Sequence, residues 1–284
     1  MAQDKPTYVE RLKTLVVGAA RSPLDRSIYH KLSLAAFLAW VGLGSDGLSS
    51  SCYGPPEAFI ALRGHIYLGV FVALATAVTI FIIATSYSQI VELFPSGGGG
   101  YLVASKLLSP RAGALSGCAL LVDYVLTIAI SISSGSDALF SFLPAGWHQW
   151  KLTFAIGVVL AMTVLNFRGV RESVAPLVPI FLVFVLTHAF IILYGVGTHL
   201  TDLGQLTAAT VADVRQTRSE LGLWGMLWLI MHSYSMGAGT YTGIEAVSNG
   251  MALLREPKVQ TAKRTMTYMW VSLALTAGGL MFSE

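Results

Sequence analysis

The stretch GSDGLSSSCYG, residues 44–54, lies inside a hydrophobic segment that extends from Leu32 to Leu62. It places one aspartate, three glycines and four serines at the middle of that segment. Glycine is a poor helix former and serine competes for backbone hydrogen bonds, so the stretch predicts unwound backbone over residues 44–51. Because irregular backbone at membrane depth is tolerated only where it lines protein or water, the interruption predicts a polar cavity.

The composition of the whole chain favours an all-α polytopic membrane protein. Of its 284 residues, 54% are apolar and 12% are charged, and the mean hydropathy is +0.66. Soluble domains carry about 25% charged residues, because a surface exposed to water needs them. A spanning helix needs about 20 apolar residues. The predicted segments cover 32–62, 67–93, 112–139, 152–166, 174–195 and 223–254, with a seventh from about 265 and a polar loop at 196–222.

A second interruption is predicted in the sixth segment. The sequence MGAGTYTG, residues 236–243, holds three glycines, and Glu245 lies just beyond it. Two interrupted segments in corresponding positions are typical of transporters built from inverted repeats, in which the substrate lies near the midplane between them. The alternative for these glycines is close packing of small residues between helices. The acid beside each interruption favours the transporter.

The distribution of Lys and Arg predicts the orientation of the chain. With the N-terminus inside, 14 of the 18 basic side chains lie on the inner side of the membrane. The positive-inside rule therefore favours a multi-pass protein of the cell membrane with a cytoplasmic N-terminus. We expect residues 1–31 to form a cytoplasmic segment and residues 32–284 to form the transmembrane domain. Because the sequence ends at GGLMFSE without flanking basic residues, we expect an incomplete bundle.

Carboxylates and hydroxyls beside the interruptions form a candidate binding site. An acid at the bilayer centre costs about 2.5–3.5 kcal/mol on insertion scales, so Asp46 and Glu245 require a proton, water or a bound cation. Thr242 precedes Glu245 by three residues, and Thr127 and Ser131 are four apart, so each pair shares a helix face. Oxygen ligands suit K⁺ or Na⁺. The alternative for Thr127 and Ser131 is a hydrogen bond to their own helix.

Other functional classes lack support in the sequence. No nucleophile–base arrangement predicts an enzyme, and no Cys/His spacing predicts a zinc site. The run SGGGG, residues 96–100, lacks the GK[ST] of a phosphate-binding loop. The basic residues follow the membrane orientation, so no nucleic-acid partner is expected. We therefore expect a protein without enzymatic activity or a cofactor, whose partners are a cation and the lipid bilayer.

Three stretches carry a resemblance to a known family. GSDGLSSSCYG followed by PPEAF, TYTGIEAVSNG at residues 240–250 and REPKVQTAKRT at residues 255–265 resemble the amino acid–polyamine–organocation superfamily. Within it, the chain is most similar to KUP/KimA-type potassium transporters. Members that carry amino acids usually present backbone N–H groups at this break to a substrate carboxylate. Asp46 occupies the break here, which disfavours a carboxylate substrate and favours a cation.

The resemblance implies a LeuT-like 5+5 inverted-repeat fold with discontinuous first and sixth helices, of which this chain is an N-terminal portion. It implies potassium uptake coupled to protons by alternating access. Such importers commonly carry a C-terminal domain that senses a nucleotide and helps to form dimers, and this domain and the second repeat lie outside the sequence. Glu245 is predicted to carry the coupled proton, in a pair with Asp46. The ligands implied for potassium are Asp46, Tyr53, Thr127, Ser131, Thr242 and Glu245.

Two alternatives remain open from the sequence. The first is a proton-coupled amino acid or polyamine permease of the same fold, since polyamines also favour acids in the cavity. The second is a membrane subunit or sensor that binds a cation without moving it.

Overall fold

The computed structural model describes Tyr8, residues 33–199 and residues 203–283. The predicted cytoplasmic segment 1–31 lies outside the described residues, apart from Tyr8. The described parts are almost entirely helical and contain no β-strand, which confirms the all-α class. The α-helices in chain order are α1 (Ala36–Ser50), α2 (Gly54–Ala61), α3 (Gly69–Leu93), α4 (Gly99–Val103), α5 (Pro110–Ser141), α6 (Lys151–Arg168), α7 (Val170–Val174), α8 (Leu177–His199), α9 (Leu203–Met236), α10 (Ala246–Asn249) and α11 (Lys258–Ser283).

Shorter helical turns connect these elements. Tighter 3₁₀ turns occupy Ile66–Leu68, Ala145–Trp150, Gly237–Tyr241 and Met251–Leu253, and a wider π turn, Ala104–Leu108, follows α4. Among the described residues, four helical stretches are long and apolar enough to cross a membrane, which makes this a multi-pass membrane protein. They are Ile66–Leu93, Pro110–Ser141, Ala145–Phe167 and Leu177–Thr198, and they match the second to fifth predicted segments.

The first segment is interrupted, but later and more briefly than the sequence predicts. Residues 44–50 are helical, and the interruption between α1 and α2 covers only Ser51–Tyr53. The serine hydroxyls explain the difference, because they donate to backbone carbonyls three residues earlier. Ser49 donates to Asp46 O at 2.8 Å and Ser51 to Leu48 O at 2.7 Å, so they hold the last turn of α1. At about 1.5 Å per residue, neither α1 nor α2 alone crosses a hydrocarbon core of about 30 Å.

The interruption of the sixth segment lies where it was predicted. Regular α-helix ends at Met236, the 3₁₀ turn follows, and Gly243 has a left-handed φ of +86°. The predicted polar loop at 196–222 was wrong, because α9 begins at Leu203 and only bends at Gly222, whose φ is +70°. The polar residues of this stretch form a helical face that packs on the turn Ile66–Leu68.

The two interrupted segments pack against each other in antiparallel directions. Ser50 in α1 donates to Thr240 O at 3.0 Å, and Ser233 in α9 donates to Ala58 O in α2 at 2.7 Å. Residues later in the first segment therefore contact residues earlier in the sixth segment. This register places the interruption Ser51–Tyr53 opposite the turn that follows α9.

Helices α3 and α11 enclose α1 from the side of the main hydrophobic core. Leu48 of α1, Ile80 of α3, and Met269 and Leu273 of α11 are almost fully buried there. Helix α11 starts at Lys258, earlier than the predicted start near Thr265. The basic stretch before Thr265 is therefore part of the helix.

Contacts between connecting segments mark the two ends of the bundle. At one end, Leu34 donates to Leu253 O at 2.8 Å and accepts from Arg255 N at 2.9 Å. The glycine loop with Gly97, whose φ is +92°, packs on the chain near Met251 at the same end, which we call the Gly97 end. The opposite end, where α2 turns into α3, is called the His65 end.

Candidate functional site

A close backbone approach brings the sixth segment onto Asp46. A Cβ added to Gly243 would lie 2.5 Å from Gly47 N and 2.9 Å from Asp46 Cγ. The left-handed backbone of Gly243 is unfavourable for any side chain with a Cβ. Gly243 therefore lets Thr242 and Glu245, on either side of it, reach the last turn of α1.

Two helix carboxyl ends meet at this place. α1 ends at Ser50 and α9 ends at Met236, and the two helices approach the interruption from opposite ends of the bundle. The last carbonyls of a helix carry a partial negative charge, which favours cations. The carboxyl ends of α1 and α9 therefore add negative potential beside the interruptions, whereas the amino end of α2 begins at Gly54.

Three carboxylates add to this negative potential. Asp46, Asp123 of α5 and Glu245 lie close enough for their charges to interact. All three are half-buried in the described structure. Within the described part of the chain, Glu245 Oε1 is buried without a hydrogen-bond partner. Because like charges in a confined site repel, the cluster is stable only with protons or cations.

The ion pairs of the described residues involve other carboxylates. Lys151 pairs with Asp137, Lys263 pairs with Glu92, and the remaining pairs centre on a histidine at the His65 end. These charges lie at the ends of the bundle and not at the interruptions. The carboxylates near Gly243 are thus available to a mobile ion.

Hydroxyl groups surround the interruption of the first segment. The side chains of Thr242 and Ser131 lie close enough to the Tyr53 hydroxyl to influence it. Thr242 Oγ1 also donates to Gly239 O at 2.9 Å, so its lone pairs remain available. These residues come from the first, third and sixth predicted segments.

Thr127 lies on α5 between Asp123 and Ser131, one helical turn from each, and its side chain is only 7% exposed. Ser136, further along α5, donates to Ile132 O at 2.6 Å, whereas no such bond is present for Thr127 or Ser131. The alternative in which these two hydroxyls bond their own helix is therefore not what the described helix shows.

The six predicted ligand residues thus divide into two groups. Asp46 and Glu245 interact electrostatically, while the hydroxyls of Tyr53, Thr242 and Ser131 lie near one another. Thr127 lies on the same face of α5 as Ser131. Their role as ligands stays a prediction.

Several polar residues of this region were missed. Asp123 precedes Thr127 by four residues and Ser131 by eight on one helix face, but the sequence left its direction open between an inward-facing acid and a partner on another helix. Tyr124 accepts a hydrogen bond from Asn249 Nδ2 at 2.8 Å, and Tyr87 of α3 lies near Glu245. No sequence spacing connects these partners, since they meet only through tertiary packing.

The donor set is rich in oxygen and poor in nitrogen and sulfur. Among the described residues, no three His, Cys, Asp or Glu side chains converge as they would around a transition metal. Hydroxyls and backbone carbonyls supply most of the oxygens, which suits a large monovalent ion. A separate apolar groove of about 570 Å³ lies at the His65 end between Phe140, Trp147, Trp150 and Phe154, far from these oxygens.

Comparison with known proteins gives a consistent set of similarities. A family model described as amino acid permease matches residues 38–283. The potassium transporter KimA of Bacillus subtilis (strain 168) is 32% identical over 277 residues, which cover 95% of this chain and 44% of that protein. The low-affinity putrescine importer PlaP of Escherichia coli (strain K12) is 31% identical over 109 residues, covering 38% of this chain and 23% of that protein.

An uncharacterized transporter of Mycobacterium tuberculosis (strain ATCC 25618 / H37Rv) is 30% identical over 194 residues, which cover 66% of this chain and 38% of that protein. The chain spans less than half the length of these curated relatives.

Proposed function

Because the chain belongs to the amino acid permease family of the amino acid–polyamine–organocation superfamily and is KimA-like, we propose that it forms part of a transporter that moves potassium into the cell. The observation that carries the proposal is that the charges of Asp46, Asp123 and Glu245 interact beside the carboxyl ends of α1 and α9. Negative charge from both backbone and side chains there favours a cationic substrate.

Potassium suits this site better than a small divalent ion. Mg²⁺ holds its water tightly and demands near-ideal octahedral geometry, whereas K⁺ accepts many neutral oxygens. Tyr53, Thr242, Ser131 and Thr127 supply hydroxyl oxygens next to the acids. Asp46 lies at the end of α1, where its carboxylate faces the turn at Gly243.

The proposed mechanism is alternating access in a LeuT-like 5+5 fold, with the N-terminus in the cytoplasm. K⁺ loses water as Asp46, Tyr53 and Thr242 replace its hydration shell, with Thr127 and Ser131 on the α5 side. Glu245 carries the coupled proton, since a carboxyl with a buried unpartnered oxygen exchanges a proton for a nearby cation at little structural cost. Asp46 and Glu245 act as one pair, because the charge of Asp46 acts on Glu245.

The test is uptake of rubidium or potassium by the full chain in proteoliposomes. Asp46→Asn and Glu245→Gln each remove one charge from the site and should abolish or strongly reduce uptake. Asp137→Asn is the matched control, because it removes an acid from α5 that pairs with Lys151 at an exposed position. Wild-type uptake in both site variants excludes the proposal, and binding without uptake in the wild type favours the non-transporting sensor.

A polyamine is the second candidate substrate, and one observation favours it. A putrescine importer aligns with part of this chain, and the same carboxylates suit a diamine as well as a metal ion. The discriminating experiment is competition. Accumulation of radiolabelled putrescine that is unaffected by excess potassium supports the permease, whereas accumulation of rubidium unaffected by putrescine supports potassium transport.

A further inference from the structure

A thiol and an imidazole face each other beside the interruption of the first segment. Cys52 Sγ lies 3.8 Å from Nε2 of His188, which belongs to α8 and follows Cys52 by 136 positions. Cys52 is the middle residue of the interruption Ser51–Tyr53, and it is exposed in the described structure. Neither side chain takes part in the proposed ion site. The contact therefore joins a point of irregular backbone to a regular helix.

The imidazole of His188 is held in one orientation by its own helix. Its Nδ1 lies 2.8 Å from the carbonyl oxygen of Phe184, and its ring stacks on the Phe184 ring at a centroid distance of 3.9 Å. A carbonyl oxygen only accepts hydrogen bonds, so Nδ1 carries a proton. In the neutral ring, Nε2 then presents a lone pair towards Cys52. Histidines that bind metals usually have this arrangement, in which the other ring N–H donates to a carbonyl or a carboxylate.

Helix α8 is itself fixed against α1. Phe181 of α8 is 5% exposed in the main hydrophobic core, and Phe184 packs on that core. The ring of Trp40 in α1 meets the Phe181 ring edge-on, at a centroid distance of 4.7 Å. Because His188 lies one helical turn beyond Phe184, the core also fixes its position relative to α1. The pair is therefore positioned by the fold and not only by its own contact.

The distance between the two donor atoms fits a shared metal ion. Typical metal bonds are about 2.3 Å to a thiolate sulfur and about 2.0–2.1 Å to an imidazole nitrogen, so the separation of 3.8 Å corresponds to an angle of about 120° at the metal. A thiolate and an imidazole together select Cu⁺ or Zn²⁺. Structural Zn²⁺ takes four ligands, whereas Cu⁺ is held by two. In the part of the chain that the structure describes, no third His, Cys, Asp or Glu joins this pair, which favours Cu⁺.

We propose that Cys52 and His188 form a binding site for a soft monovalent metal ion of the Cu⁺ class. On binding, the Cys52 thiol releases its proton to water as the sulfur–metal bond forms, and His188 contributes the lone pair of Nε2. The ion stays monovalent, and no electron is transferred. Tyr53, next in the chain, lies against Gly239 of the sixth segment instead, so the oxygen-rich site and the metal site use different sides of the interruption. The bound ion ties the interruption to α8.

The first experiment measures Cu⁺ binding by the purified full chain in detergent micelles, with ascorbate to keep the copper monovalent. A coloured Cu⁺ chelator competes for the ion, and X-ray absorption at the copper edge identifies its neighbours. We expect a tightly bound ion with a sulfur and a nitrogen neighbour that excess potassium does not displace. Even the outer partners of metal ligands contribute about 10–100-fold to affinity, so Cys52→Ser and His188→Gln should each weaken binding by more than about tenfold.

Cys118→Ser and His232→Gln are the matched controls, because both residues are exposed on other helices, α5 and α9. Both variants should keep the wild-type affinity. Unchanged affinity in Cys52→Ser and His188→Gln, a copper spectrum without sulfur, or an equal loss in Cys118→Ser overturns the proposal. If Cys52→Ser fails to fold, His188→Gln decides instead, and a copper spectrum that keeps its nitrogen neighbour in that variant overturns the proposal equally.

The second experiment depends on the proposed function. With rubidium uptake in proteoliposomes as the signal, Cu⁺ should inhibit the wild type, because alternating access requires movement at the interruption that the metal ties to α8. Cys52→Ser should take up rubidium equally well with and without copper. Equal inhibition of Cys52→Ser and the wild type contradicts a link between this site and transport. Absence of rubidium uptake in the wild type rejects potassium transport alone, because the binding experiment still tests the metal site.

Discussion

The hydroxyl of Ser50 donates a hydrogen bond to the backbone carbonyl of Thr240, 190 positions later in the chain, at 3.0 Å. The same hydroxyl also approaches Gly47 O in its own helix. Both Ser50 and Thr240 are fully buried. This bond fixes the register in which the interrupted first and sixth segments meet, and with it the position of Asp46 relative to Glu245.

Ser50→Ala should therefore destabilise the protein and not only weaken one contact. It leaves the Thr240 carbonyl buried without this donor, which typically costs about 1–3 kcal/mol. Thermal unfolding in detergent should show a lower midpoint. Ser86→Ala is the control, because Ser86 donates only to Ile82 O on an exposed face of α3; equal midpoints for the two variants would argue against a special role for Ser50.

Gly243→Ala should remove cation uptake while lowering stability. A Cβ at this residue would lie 2.5 Å from Gly47 N, and the left-handed φ of +86° is unfavourable for alanine by about 1–2 kcal/mol. The backbone must shift, and Asp46 and Glu245 then lose their relative position.

The control for this change is Gly157→Ala. Gly157 lies in the helix α6, and an added Cβ would contact nothing within 4 Å. Alanine is a better helix former there by about 1 kcal/mol, so stability should hold or rise and uptake should stay unchanged. Normal uptake in Gly243→Ala would show that the close approach to α1 is dispensable.

Asp123→Asn should weaken cation binding although the sequence analysis did not place this residue in the site. Its charge acts on both Asp46 and Glu245. We expect the KM for potassium to rise roughly tenfold, equivalent to about 1.4 kcal/mol. Asparagine is easier to insert into a membrane than aspartate, so the expression level should not fall. The uptake kinetics of Asp137→Asn, also on α5, provide the comparison, and identical KM values for both variants would exclude Asp123 from the site.

Tyr53→Phe should reduce affinity more mildly, because it removes one hydroxyl and keeps the ring that packs on Gly239. A Cβ on Gly239 would lie 3.2 Å from Tyr53 Cε2, so the ring occupies that contact in both forms. Loss of one hydroxyl that contacts the ion should cost about as much as a typical hydrogen bond, about 0.5–1.5 kcal/mol, and the KM should rise accordingly. Tyr194→Phe on the exposed side of α8 is the control; a loss of folded protein in Tyr53→Phe would instead indicate a packing role.

The class of the fold and the two interruptions could be predicted because they depend on local composition. Long apolar stretches predict helices that span a membrane, and clustered glycines predict their breaks. The position of the first break was harder to predict. The sequence around Ser49 and Ser51 predicts unwinding, but in the structure their hydroxyls hold the last helical turn. The sequence alone does not distinguish a serine whose hydroxyl disrupts a helix from a serine whose hydroxyl binds the carbonyls of the last helical turn.

The sequence predicts those site residues that share one helix face. It does not predict contacts between residues of distant segments. Ser131 was found through its spacing from Thr127, and the same spacing extended one turn would have found Asp123. The contact between Tyr124 and Asn249 depends on how α5 packs beside the sixth segment. The helical stretch with Asp213 was missed because its polar residues suggested a loop, although they form the face that binds His65.

The central claim is that Asp46 and Glu245 together hold a monovalent cation between the interrupted segments. Equilibrium binding of radiolabelled rubidium to the purified full chain tests this most directly, with Asp137→Asn beside Asp46→Asn and Glu245→Gln. The account predicts saturable binding that potassium displaces in the wild type and in Asp137→Asn, and that is lost in Asp46→Asn and weakened in Glu245→Gln. Equal rubidium binding by all four proteins would contradict it.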